Sequence, residues 1–306
     1  MKKLISLLLI SLFVVPIFVG CSDDDKQLTD TSPYNFTNYE NLDDISDIQE
    51  VLLSRQLRKV CVSYKFTYLS DGYQVKAYIS IPLDCIESST PFKCIVYNRG
   101  GNSRIGYLGD EDTAKICSAT NRIVIASQYR GADGGTGTDQ FGGADLNDVI
   151  KLINLCDKTF EFVDMSDLCV AGVSRGGMMS YMTARQDERV KGIIAISAVS
   201  DLFQAYDNRD DMKTILNNYI GGSPDDLPDE YEKRSAICFA NELQVPVLII
   251  HSKQDEQVSF SQAEDLYSKL KLTNPNCTFV TYDDNTHGLH AKDSEEISNW
   301  LDSTFN

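Results

Sequence analysis

Apolar residues along the chain fall into two alternating patterns. Short continuous apolar runs occupy residues 94–97, 123–127, 169–173, 192–196, 245–250 and 278–282, and helix-length segments with a period near 3.6 lie among them at 146–155, 178–186, 261–270 and 295–305. Runs that do not alternate inward and outward are buried on both faces, so they predict a mostly parallel sheet covered by helices on both sides. Upstream, 60–69 and 73–81 are rich in β-formers and are separated by Ser70-Asp71-Gly72, whose Asp-Gly step suits a tight hairpin turn. The predicted fold class is α/β, a mostly parallel central sheet with an N-terminal antiparallel hairpin.

The first twenty residues do not belong to that pattern. Lys2 and Lys3 precede an apolar stretch, 4–20, that is short for a membrane span and carries Pro16, which reads as a secretory signal. Phe18-Val19-Gly20-Cys21 resembles a bacterial lipobox, which implies that Cys21 becomes the lipidated first residue and that contact with a membrane is through this N-terminal lipid only. Ser22-Asp23-Asp24-Asp25-Lys26 resembles the acidic tract that follows the lipidated cysteine in some Gram-negative lipoproteins and marks export to the cell surface. An exported, outer-membrane lipoprotein is expected, exposed at the surface if the tract acts as it does there. Residues 21–45 are polar and without periodicity and are expected to be a tether. Residues 46–306 show no low-complexity break and no repeat, and are expected to form one domain able to bury about three quarters of its extended-chain surface.

With 42% hydrophobic and 24% charged residues the composition is that of a globular protein. A formal net charge of -17 lacks the basic footprint that binding a phosphate backbone requires, so nucleic acid is not expected as a partner. Beyond Cys21 the cysteines are Cys61, Cys85, Cys94, Cys117, Cys156, Cys169, Cys238 and Cys277, with no C-x-x-C pair. They read as buried apolar thiols, and neither a metal nor another cofactor is expected.

At the end of the run 168–173 stands Gly172-Val173-Ser174-Arg175-Gly176-Gly177, and a helical pattern begins at once. This is G-x-S-x-G in its strand-turn-helix setting, which raises the serine hydroxyl above the sheet beside a helix N-terminus. Serine is a weak nucleophile by itself, so Ser174 requires a base and a group to orient that base, in the chain order Ser, acid, His. The chain holds three histidines. His251 ends a strand and is expected to pack near the site. His287, in the loop after 278–282, is the predicted base, with His290 as the alternative. Asp255 is the predicted acid, and Glu256 and Asp201 are alternatives. For the oxyanion hole the backbone N–H of Arg175 is expected to act with a donor from Asn98-Arg99-Gly100-Gly101-Asn102, assigned to Gly100 although the sequence does not select among these N–H groups.

From about residue 59 to 303 the chain resembles the catalytic domain of the prolyl oligopeptidase (S9) family of α/β-hydrolases. Segments that carry the likeness are Tyr68 to Gly72 with Val75 to Tyr78; Gln128-Tyr129-Arg130-Gly131 with Gly134-Gly135; Phe141-Gly142-Gly143 with Asp145 and Asp148; and Gly222-Ser223-Pro224 through Arg234-Ser235 to 246–258. The resemblance implies a triad of Ser174, Asp255 and His287. It departs in two ways. The position before the paired glycines, usually His or Tyr in the family, is Arg99, so a tyrosine hydroxyl as second oxyanion donor would have to come from Tyr97. Only about forty residues precede the domain, which leaves no room for the family's β-propeller and argues against dipeptidyl-peptidase specificity. Residues 201–241, rich in aromatics (Phe203, Tyr206, Tyr219, Tyr231) and acids (Asp207, Asp210, Asp211), read either as a lid over Ser174 or as a peripheral insertion. The expected activity is a metal-independent serine hydrolase on a small peptide or an ester, with peptide cleavage favoured and carbohydrate or general carboxylesterase activity as the alternative.

Overall fold

Three antiparallel strands open the domain: β1 (Ile45–Glu50), β2 (Cys61–Ser70) and β3 (Tyr73–Pro82). The computed structural model describes residues 34–305 apart from 89 and 103; the leader and Cys21 lie outside the described residues. Ser70 pairs with Tyr73, and both turn residues have positive φ, 51° at Asp71 and 78° at Gly72, which gives the hairpin the twist its strands need. There follow α1 (Leu83–Ser88), β4 (Phe92–Asn98), α2 (Asp112–Thr120), β5 (Ile123–Ser127), α3 (Leu146–Lys158), β6 (Val163–Val173), α4 (Arg175–Gln186) and β7 (Gly192–Ile196). The chain closes with α5 (Leu202–Asn208), α6 (Asp210–Ile220), α7 (Pro228–Arg234), β8 (Val247–Ser252), α8 (Phe260–Leu270), β9 (Cys277–Tyr282) and α9 (Asp293–Phe305).

Among the described residues the strands form one sheet in the order β1-β2-β3-β5-β4-β6-β7-β8-β9, parallel from β5 onward. The parallel strands are the continuous apolar runs; β5 and β7 are buried along their whole length. On one face α3 lays down Val149, Leu152, Ile153 and Cys156, and α4, buried from Arg175 to Thr183, packs beside it. The other face is covered by Ala114 and Cys117 of α2 and Trp300 and Leu301 of α9.

Part of the expected tether belongs to the domain. Tyr34, Phe36, Tyr39 and Ile45 are buried, and the Phe36 ring lies 5.1–5.6 Å from those of Tyr64, Phe66 and Phe160. Aromatics spaced two to three residues apart in a polar context carry enough apolar area to dock a segment that shows no periodicity. The domain therefore starts about ten residues before position 46. The segment 201–241 is a helical layer and not a loose flap: Tyr231 is fully buried, its hydroxyl donates to Gly222 O (3.0 Å), and the Phe203 and Tyr206 rings pack on it at 5.7 and 5.9 Å. Its acids are largely paired on the surface, Asp210 with Lys213 and Asp211 with Arg209.

Replacing Phe36 with Ala is expected to destabilise the domain by about 3–5 kcal/mol, the range for deleting a buried aromatic. Urea unfolding that gives an unchanged midpoint would return residues 34–45 to the tether.

Candidate active site

β4 and β6 are neighbours, Asn98 opposite Gly172, yet β4 continues to β5 on one side and β6 to β7 on the other. Their carboxyl ends thus form the switch point, where open α/β sheets leave a crevice. Ser174 stands there with φ 58° and ψ -122°, a conformation that costs about 1–3 kcal/mol for a residue with a side chain. Its N–H donates to Ile196 O (2.9 Å) and its carbonyl accepts from Val199 N–H (3.2 Å), so the neighbouring strand holds the strained turn. The flanking glycines are steric necessities: a Cβ on Gly176 would lie 1.9 Å from Asn98 O, and one on Gly177 would lie 2.3 Å from Ala198 Cβ. Helix α4 begins at Arg175, whose N–H, at the first helical position, has no acceptor within the helix.

The predicted acid and base meet. His287 Nδ1 lies 2.8 Å from Asp255 Oδ2, while Asp255 Oδ1 accepts the N–H groups of Gln257 (2.8 Å) and Val258 (3.1 Å). Burial alone would raise the Asp255 pKa, but hydrogen bonds from His251, His287 and the Val258 N–H outweigh it and hold the carboxyl well below the usual carboxylate range. A permanently charged Asp255 makes His287 Nδ1 the donor and leaves Nε2 as the acceptor, the tautomer a general base requires. The loop is docked at the elbow: Gly288 N–H donates to Ser197 Oγ (3.1 Å), and a Cβ on Gly288 would lie 3.8 Å from Val173 Cγ1, on the residue preceding Ser174. Gly100 presses on the same turn, since a Cβ there would lie 2.8 Å from Val173 O and 3.5 Å from Ser174 Cβ. Ser174, Asp255, His287, Arg175 and Gly100 therefore gather at the carboxyl ends of the central strands.

The alternatives are occupied elsewhere. Glu256 is exposed, and Asp201 caps α5 by accepting from the N–H groups of Phe203 and Gln204. His290 has both ring nitrogens engaged, Nδ1 with Asp293 (3.3 Å) and Nε2 with Asp284 (3.1 Å) and Ser252 Oγ (3.2 Å), and it stacks on Tyr282 at 3.9 Å. Ser252, His290 and Asp293 form a hydrogen-bonded serine-histidine-carboxylate chain, but not in the chain order Ser, acid, His, and Ser252 is fully buried. Tyr97 lies on the sheet face covered by α2 and α9, where burial and Asp112 push its hydroxyl up to about 12. A cleft of 520 Å³ between the glycine-rich segment and α7 is lined by Gln140, Met182, Arg185 and Lys233 and by none of the triad candidates, so it is not the reaction site.

One supporting residue escaped the sequence reading, and another was expected near the site without a stated role. Ser197, directly after β7, fixes the His287 loop; its position at a strand carboxyl end was the available signal. His251 Nε2 bonds Val258 O (2.9 Å) and lies 3.4 Å from Asp255 Oδ2, so this histidine braces the acid loop from beneath.

A doubly wound sheet with a strained serine at its switch point and a histidine-carboxylate pair beside it defines a serine hydrolase of the α/β-hydrolase fold. Residues 111–306 match the model of the prolyl oligopeptidase family, and the chain belongs to that family. Among its relatives, the uncharacterized peptidase YtmA of Bacillus subtilis is 29% identical over 235 residues, 76% of this chain and 89% of that protein. Dipeptidyl-peptidase 5 of Porphyromonas gingivalis is 22% identical over 76% of this chain but only 35% of its own length. Among solved structures, the acylaminoacyl peptidase of Pyrococcus horikoshii superposes with a TM-score of 0.69 at 19% identity, over 80% of this chain and 42% of that one. Acetyl xylan esterase 1 of a Thermoanaerobacterium species gives 0.65 at 15% identity, over 86% and 88%.

Burial works against a charged His290, but hydrogen bonds to Asp284 and Asp293 outweigh it and raise its pKa above the usual 6.5. A raised folded-state value means that the stabilisation is fully present below pH 6.5 and is lost as pH rises through that value. Amide protection factors in residues 284–292, which correct for the intrinsic rise of exchange with pH, are expected to fall across this window in the wild type and to lose that dependence in His290→Phe. An identical pH profile in the two proteins would show that the His290 charge does not hold the loop.

Proposed function

We propose that Ser174, Asp255 and His287 act as a catalytic triad and that the protein is a peptidase working through an acyl-enzyme. The observation that carries the reading is the 2.8 Å Asp255–His287 pair on a loop docked against the strained turn of Ser174. Ser174 Oγ attacks the substrate carbonyl carbon as His287 Nε2 takes its proton; Asp255 stabilises the imidazolium that results. The oxyanion is met by the Arg175 N–H and by a donor from residues 100–102. His287 then gives the proton to the leaving group, whose bond to the acyl carbon breaks, and a water activated by the same nitrogen releases the acid. Peptides are favoured as substrates because the family is one of peptidases and the B. subtilis relative, aligned over nearly its whole length, is named an uncharacterized peptidase. An ester substrate is the second reading, favoured by the fold shared with acetyl xylan esterase 1 along almost the full length of both chains. The residues 201–241, tied to the acid loop by Arg209 Nη1 donating to Gln257 O (2.8 Å), are assigned to substrate selection. At the N-terminus, lipidation at Cys21 and outer-membrane, surface-exposed placement are part of the same proposal, supported by the lipobox-like and acidic sequences.

Residues 22–306 are to be incubated with a mixed peptide library and, separately, with acetylated and feruloylated sugars, products being read by mass spectrometry. Ser174→Ala and His287→Ala are each expected to lower kcat by about 10⁶-fold and Asp255→Asn by about 10⁴-fold. Ester turnover with an untouched peptide library would replace the peptidase reading by the esterase one. Activity that survives Ser174→Ala would remove the triad.

A further inference from the structure

Two arginines are buried beneath the turn of Ser174 and its neighbouring loop. Arg99 and Arg175 are each 1% exposed, and their guanidinium carbons lie 4.8 and 5.0 Å from the ring centre of Tyr129. Arg175 is neutralised, pairing with Asp139 (2.6 Å) and Asp145 (2.8 Å). Arg99 is not matched in the same way: its closest carboxylate is Asp139 at 3.9 Å, and its Nη2 is buried without a hydrogen-bond partner. Burying a guanidinium costs several kcal/mol unless its surroundings compensate, so a plain packing role is a poor account of Arg99.

What these side chains touch is the backbone of one loop. Tyr129 Oη donates to Arg99 O (3.1 Å), Arg99 Nη1 donates to Gly100 O (3.1 Å), and Arg175 Nη1 donates to Gly101 O (3.2 Å). Arg99 is anchored in turn by Nε donating to Gln128 O (2.8 Å). Three successive carbonyls are thus drawn to one buried cluster. In a trans peptide unit the N–H points opposite to the C=O, so the N–H groups of Gly100, Gly101 and Asn102 are turned away from the cluster. Among the described residues no carbonyl accepts from the N–H of Gly100, Gly101 or Asn102. Gly101 has φ +70° whereas Gly100 lies outside the positive-φ region, the change of hand by which consecutive N–H groups come to surround an anion. Gly100 itself is against Ser174.

We infer that Arg99 is a positioning residue: with Tyr129 and Arg175 it holds the carbonyls of residues 99–101 away from Ser174, so that the N–H groups of 101 and 102 complete the oxyanion site. This rests on the proposed serine mechanism and moves the second donor one or two residues beyond Gly100. It also accounts for an arginine where the family usually has His or Tyr, since the donor is then main chain and the side chain serves to aim it.

The test compares an activated oxoester with its thionoester, whose larger, more weakly accepting sulfur gains little from the same N–H groups. Wild type and Ser174→Ala come first; oxoester turnover lost in Ser174→Ala secures the underlying mechanism independently of Arg99. Arg99→Met is then expected to lower kcat on the oxoester by about 10²-fold with KM nearly unchanged, and to shrink the oxo-to-thiono rate ratio by a similar factor. Tyr129→Phe keeps the shape and removes one neutral hydrogen bond, with a drop of about fivefold in the same ratio; it carries the test if Arg99→Met does not fold. Ratios at the wild-type value in folded variants, with the Ser174→Ala control intact, overturn the role of Arg99 and leave the triad standing.

Discussion

No side chain fits between the end of β4 and the start of α4. The Cα of Gly176 is so close to Asn98 O, and that of Gly172 so close to the Gly176 carbonyl, that a single methyl group at either would force the strand and helix apart. This contact joins the nucleophile's turn to the loop following β4, and the rest of the site is arranged around it. The switch point supplies the crevice, the glycines bring its walls together, and the strain at Ser174 is held by hydrogen bonds to the segment after β7. Rigid elements on both sides fix the hydroxyl more tightly than a loop could.

Charge is distributed in keeping with this. The chain carries a formal net charge of -17, yet the ground beneath the site holds Arg99, Arg175 and, further out, Arg130 bound to Asp148 at 2.7 Å. Each buried guanidinium ends on main-chain carbonyls or on carboxylates of the glycine-rich segment and the start of α3: Asp139, Asp145 and Asp148. Asp145 in turn accepts from the N–H groups of Gly142 and Gly143, so the segment 139–145 is tied to α4 and not left as a surface loop. The arrangement fixes several irregular backbone segments at once, with the arginine charges set against these carboxylates.

How much of this could be read in advance follows from which residues carry a local signal. β5 and β7 were legible to the residue because every position in them is buried and all but Ser127 are apolar, and Ser174 because its glycines are demanded by contacts local to the turn. β1 was not, since only Ile45 of its residues is buried and its register breaks after Ser46. α2 was missed for a related reason: it buries Thr113, Ala114 and Cys117, small or polar residues that give little contrast with its outer face. The pairing of Asp255 with His287 could be anticipated from strand ends and chain order. The contacts of Arg99, Tyr129 and Arg175 join segments up to 74 positions apart, and nothing in the spacing of the sequence reports which carbonyl a buried guanidinium will meet.

The same scaffold underlies an acylaminoacyl peptidase and an acetyl xylan esterase, so the sheet and turn do not decide between amide and ester. The difference between those reactions lies in the leaving group. An alkoxide departs with little help, whereas an amine must be protonated as it leaves, which places the demand on where His287 Nε2 is held. That position is set here by contacts on both sides of the histidine: Asp255 grips its ring, and Ser197 grips the next peptide unit. The loops on either side of Ser174 also carry exposed apolar residues, Ile105 and Leu289 at 72% and 49% exposure. In the proposed mechanism a base fixed at both ends meets the stricter of the two demands, protonation of an amine as it leaves, and serves an ester as well.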